Sequence, residues 1–173
     1  MTRYMIAAAA VAALLAPTAA FAQDGTVNIE GSVAAKCVIA TSTTITLNEL
    51  ADNDGLYNGV ADGKDATLNA WCNGAASTIS VVANAISLQG GPAVQPGFTD
   101  TVQFTATASV TPAGAGGAVS VADSTLGIAD AAAMVGLFSD DITVTLSASA
   151  TNGGKLIAGD YAGSVVVTLS PAA

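Results

Sequence analysis

The chain has 173 residues, 51% of them hydrophobic and only 10% charged, with 13 acids against four basic residues, no histidine and a formal net charge of −9. So acidic a chain repels phosphate backbones and anionic lipid headgroups, which argues against nucleic acid and charged membrane surfaces as partners. The lack of histidine removes Ser-His-Asp and Cys-His nucleophile systems and imidazole-based zinc sites.

The first stretch reads as an export leader. "MTRYMIAAAAVAALLAPTAAFAQDG" has a basic start at Arg3, an apolar run from Met5 to Leu15, Pro17, and small residues at Ala20 and Ala22. The run is shorter than the roughly 20 residues of a membrane span, so cleavage after Ala22 is expected, with no membrane insertion afterwards. Residues 1–22 are thus assigned to a signal peptide, 23–34 to an N-terminal strand-like segment and 35–173 to one β-sandwich domain. Cleavage also removes Arg3 and leaves Lys36, Lys64 and Lys155 as the only cations. In an exported chain the two cysteines, Cys37 and Cys72, read as one disulfide. Closing a loop of about 35 residues is worth ~3.8 kcal/mol in the chain-entropy model.

Most of the remaining sequence alternates with period two and is rich in Val, Thr, Ile and Ser, the pattern of half-buried strands. Strands are predicted at about 25–34, 42–48, 66–72, 77–84, 101–110, 140–149 and 163–170. In the first, "GTVNIEGSVAAKC", Val27, Ile29, Gly31 and Val33 share one face. Ile45 and Leu47 share a face in "TTITLNEL", as do Val102, Phe104 and Ala106 in "TVQFTATASV". The inward sets are Ile142, Val144, Leu146 and Ala148 in "DITVTLSASA" and Val165, Val167 and Leu169 in "SVVVTLS". Stretches such as "ADNDGLYNGVADGKD", "LQGGPAVQPG" and "ATNGGK" are loops by their Gly, Pro, Asn and Asp content. A helical turn is expected at Asp130 to Met134. About seven short strands with turn-rich gaps point to an all-β sandwich.

Little in this pattern carries chemistry. Adjacent Asp140 and Asp141 would point to opposite sides of a strand and cannot form a glycosidase pair, so no enzyme activity, cofactor or catalytic residue is assigned. The acidic loop Asp52, Asp54, Asp62, Asp65 fails the EF-hand test: with Asp54-Gly55 at loop positions five and six, Leu50 and Ala61 fall where carboxylates are required. An irregular calcium site there stays open beside a solvated loop, and no metal ligand is assigned. Trp71 should point outward if Cys72, Ala70 and Leu68 point inward. It is then either a surface contact residue or a ring covered by a loop.

Taken in order, "GTVNIEGSVAAKC", "ITLNEL", "ATLNAWC" and the terminal "AGDYAGSVVVTLSP" resemble the secreted pilins of the chaperone–usher pathway, especially the Csu-type, spore coat protein U-like branch. The resemblance implies an immunoglobulin-like sandwich that lacks its last strand and is completed by the N-terminal strand of another subunit. Its partners would be identical or related pilin subunits, a periplasmic chaperone and an outer-membrane usher. The chain would pass through the periplasm to a fimbrium at the cell surface. The donor would be Gln23 to about Val33, with Val27, Ile29, Gly31 and Val33 facing the groove. The chain lacks the C-terminal aromatic that many such pilins offer to the chaperone, leaving Val165 to Leu169 to serve alone. Two other readings fit the same residues: a secreted envelope or biofilm-matrix monomer that completes its own sandwich, and a small carbohydrate-binding adhesin using Trp71 and the loop carboxylates.

Overall fold

A computed structural model describes residues 25–129 and 132–173, which divide into two units between Ser32 and Val33. Residues 1–22, expected to be a signal peptide, and Gln23 and Asp24 of the expected donor segment lie outside the described residues, as do Asp130 and Ala131 of the expected helical turn. In the first unit, residues 25–32 are not a strand, and Val27 and Ile29 are 85% and 92% exposed. The strand expected at 25–34 is therefore corrected. Alternating side chains do not make a strand unless the backbone N–H and C=O groups find a ladder, and none forms on residues 25–34.

The second unit is all-β. Its strands in chain order are β1 (Cys37–Ile39), β2 (Asp65–Leu68), β3 (Ala70–Cys72), β4 (Thr78–Leu88), β5 (Phe98–Thr99), β6 (Thr101–Val110), β7 (Val119–Ser124), β8 (Ile128–Ala129), β9 (Ala133–Met134), β10 (Ile142–Ala150), β11 (Lys155–Leu156) and β12 (Tyr161–Ser170). The main sheet runs β12-β4-β6-β10-β2, with β7 also on β6. The β4–β6 pairing is confined to Ile86↔Val102 and Ser87↔Thr101, after which β7 takes over beside β6 from Thr105 to Val110. The sheet therefore curls at this corner: β12 and β4 fold over β7, β6, β10 and β2 in a sandwich-like arrangement. Where β4 has parted from β6, the carboxylate of Asp123 on β7 takes the place of a strand and accepts a hydrogen bond from the Ala83 N–H at 2.7 Å.

The core lies between these layers. Ile79, Val81 and Ile86 of β4 meet Val102, Phe104, Ala106, Ala108 and Val110 of β6 and Ile142, Val144 and Leu146 of β10, all buried. Each of the larger side chains contributes roughly 1.5–3 kcal/mol by leaving water. Alanine at 106 and 108 adds little volume, which lets the layers close without large aromatics.

Four further expectations are corrected. The strand predicted at 66–72 breaks at Asn69, because β2 pairs with β10 while β3 pairs with β1. The segment 42–48 makes no ladder, as described below. Ala148 is exposed rather than inward: a bulge shifts the β10–β6 register between Ser147 and Ala150, with Ala148 at φ +49°, so the alternation slips out of phase. Within the expected helical turn, Ala133–Met134 instead pairs with the start of β4, through Ile79↔Ala133 and Thr78↔Met134. Val119–Ser124 and the two-residue strands were not foreseen; "VSVADS" is short and lies among glycines that read as loop.

Candidate binding groove

Two segments of the second unit run beside each other without pairing. One is the stretch from Ile39 to Ala51; the other is β12, an edge strand that pairs only with β4 among the described residues. Between them lies a groove of about 1240 Å³, above the ~300–1,000 Å³ typical of small-molecule pockets. Its floor is one side of the core: Ile86, Phe104, Val144 and Leu146, with Ala66 and Leu68. One wall presents Ile39, Ile45, Leu47 and Leu50, and the other Leu156, Tyr161, Val165 and Val167; all are half-buried. Thr41, Ser42, Thr43, Thr44, Asn48 and Glu49 give the rim a polar edge.

Local sequence explains each wall. Ile45 and Leu47 do share a face, as their alternation requires, and that face lines the groove. Their backbone forms no ladder because the place beside it is open, so a segment with strand-like patterning is left without strand bonds. The wall is anchored at its ends instead. Ala40 N–H donates to the Asn69 carbonyl at 2.8 Å, and Asn58 N–H donates to the Leu50 carbonyl at 3.0 Å. On the other side β12 presents Val165 and Val167 inward and Val166 outward, and it borders the groove from Tyr161 to Val167, about 20 Å of extended chain at ~3.3 Å per residue. Gly163 sits at a register shift in this strand, and a Cβ there would come within 2.9 Å of Ile86 Cγ1 and 3.0 Å of the Ala85 and Asn84 carbonyl oxygens. Only glycine lets the edge lie this close to the floor. Tyr161 closes one end: its hydroxyl donates to the Ile157 carbonyl at 2.8 Å, and burial, reinforced by the nearby Asp100 charge, raises its pKa above 10.0 despite that bond.

The other end of the groove carries the disulfide. Cys37 and Cys72 are bonded, and their pairing continues the antiparallel β1–β3 ladder, Cys37↔Cys72, Val38↔Trp71, Ile39↔Ala70. The end of β12 lies here too, since Ala76 N–H donates to the Ala172 carbonyl at 3.2 Å. A side chain at Gly74 would collide with that carbonyl.

Ala70 and Cys72 are buried and Trp71 is only half-buried, as the alternation required. The Lys36 ammonium lies over its ring, 5.9 Å from the centroid. Two carboxylates of the acidic loop are held by backbone N–H groups. Asp52 Oδ1 accepts from the N–H groups of Asp54 and Leu56, both at 2.9 Å, and Asp62 Oδ1 accepts from Ser149 N–H at 2.7 Å. Among the described residues, no three or more His, Cys, Asp or Glu side chains gather as a metal site. Asp141 is tied to the Asn69 amide at 3.1 Å.

Sequence reasoning did not identify the groove's floor. Phe104, Val144 and Leu146 were legible as inward residues but not as ones that line a groove. Leu156 and Ile157, in a loop without alternation, carried no signal. No family model, curated protein or solved structure matches the chain.

Proposed function

We propose that this chain is a structural, non-catalytic subunit of a surface filament, exported and then joined copy to copy by β-strand addition. In this reading the second unit is an immunoglobulin-like sandwich short of one strand, and residues 23–33 of another copy fill the groove. The observation that carries it is the groove itself: an apolar floor flanked by two extended edges, each with backbone groups on the groove side that no strand satisfies. An added strand would supply those bonds and place alternate side chains on the floor. The segment 25–33 has the complementary pattern, with Val27, Ile29 and Val33 exposed and Gly31 between them. Burying the three apolar side chains would contribute roughly 5–9 kcal/mol, before the cost of ordering the segment. A periplasmic chaperone would hold the groove before assembly, and an outer-membrane usher would deliver the filament to the cell surface.

The test is electrophoresis of the purified protein in detergent, with and without prior heating. A heat-sensitive ladder is expected from the full chain. Deletion of 23–33 should abolish the ladder and leave a fold stabilised by the added peptide "QDGTVNIEGSV". Ile29→Asp should also abolish the ladder, because an unpaired carboxylate in the groove costs several kcal/mol. A single unheated monomer band from the full chain at every concentration would overturn the proposal.

A further inference from the structure

The sequence holds three Asn-Gly pairs, Asn58-Gly59, Asn73-Gly74 and Asn152-Gly153. Such a pair can react with itself, because a glycine without a Cβ lets its own backbone nitrogen approach the asparagine amide carbon closely. The fold treats the three pairs differently. The Asn58 side chain is held at both its polar atoms, with Nδ2 donating to the Glu49 carbonyl at 2.8 Å and Oδ1 accepting from the Val60 N–H at 3.0 Å. Asn73 is held likewise: Oδ1 accepts from the Lys36 N–H at 2.6 Å, and Nδ2 donates to the Ala34 carbonyl at 3.2 Å. Asn152 is exposed, in the loop 151–154 between β10 and β11, and its side chain makes no hydrogen bond among the described residues. Two glycines follow it, at φ +90° and +91°, and nothing lies within 4 Å of the place a Cβ on Gly153 would take. The chain is tied down again at Lys155, whose N–H donates to the Gly97 carbonyl at 2.9 Å.

We infer that Asn152 is a modification site, where the folded protein deamidates spontaneously and gains one negative charge. The Gly153 backbone nitrogen, on giving its proton to hydroxide, attacks the Asn152 Cγ. The bond from Cγ to the side-chain nitrogen breaks, and that nitrogen takes a proton from water and leaves as ammonia. Water then opens the resulting five-membered succinimide at either carbonyl. One opening gives aspartate; the other gives isoaspartate, whose backbone runs through Cβ and Cγ and is one methylene longer. Water is the only co-reactant. At Asn58 and Asn73 the same attack must first break the bonds that hold the side chain, so each should react at least about tenfold more slowly than Asn152. The open space around Gly153 leaves room for the added methylene. Nothing in this chemistry depends on what fills the groove.

The experiment incubates the purified protein at mildly alkaline pH and follows each Asn-Gly pair by tandem mass spectrometry of proteolytic peptides. In the folded protein Asn152 should turn into aspartate and isoaspartate at least about tenfold faster than Asn58 or Asn73. The rate should rise with pH, and a more acidic band should grow on isoelectric focusing. In denaturant, where no side chain is held, the three pairs should react at similar rates, so the native difference reports the fold and not the dipeptide. Asn152→Gln should remove the early acidic band. Because the residue is exposed and makes no bond, this variant should melt as the wild type does. Folded protein in which Asn58 or Asn73 reacts as fast as Asn152 would overturn the assignment. So would an Asn152 that stays intact under conditions where the denatured chain reacts, or an acidic band that grows at full rate in Asn152→Gln.

Discussion

Replacing both bridged cysteines, Cys37→Ala with Cys72→Ala, tests how the groove wall is held. The disulfide closes a separation of 35 residues that contains the whole wall from Ile39 to Ala51. Within that wall, among the described residues, the hydrogen bonds cluster at Ala40 and at Glu49 to Ala51, and none falls on Thr41 to Asn48. The unfolded chain should gain ~3.8 kcal/mol of freedom when the loop opens, within the 2–5 kcal/mol usual for native bridges. For a unit of this size that is a fall of roughly 10–15 °C in Tm. Circular dichroism melts of the variant, and of the wild type with and without reductant, measure it. The wall should also loosen, so peptide 23–33 should bind the variant more weakly than the bridged protein. A fall of less than about 3 °C would refute the reasoning, because the open loop would then have gained little freedom.

Ala148→Gly should raise Tm by roughly 2–4 °C, since the residue sits at φ +49° where a Cβ is strained; a lower Tm in the same melts would show that the bulge is not under strain. Asp123→Ala should cost about 1–3 kcal/mol in denaturant unfolding by orphaning the Ala83 N–H, and Asp123→Asn, which keeps an acceptor oxygen, should recover most of it; equal losses would reject the bond as the cause. Trp71 fluorescence should be quenched by acrylamide, and more so in Lys36→Ala, whereas full protection in both would contradict a half-buried ring covered by Lys36. The folded-state pKa of Tyr161 is raised, so its contribution to stability is fully present below pH 10.0 and is lost as pH rises through the folded value; this alkaline decline should shrink in Tyr161→Phe, and an unchanged profile would count against it.

Much of the architecture follows from sequence because it depends on local pattern. The period-two runs in β6 and β10 and at the end of the chain mark strands whose inward residues, such as Phe104, Val144 and Val167, fall where alternation puts them, and the two cysteines, Cys37 and Cys72, pair with each other. Alternation says which face of a strand is apolar, but it says nothing about which strand lies beside it. That is why 42–48 could read as a strand yet stand as an unpaired wall, and why 66–72 could read as one strand yet serve two sheets. The parting of β4 from β6, filled by Asp123, and the hydrogen bonds of the Asn73 side chain to the Lys36 N–H and the Ala34 carbonyl join residues 37 to 40 positions apart. Such contacts have no periodicity to betray them. The groove exists only because the tertiary arrangement leaves Ile39–Ala51 and β12 on either side of a gap, and a gap is a relation between distant segments that no single stretch of sequence encodes.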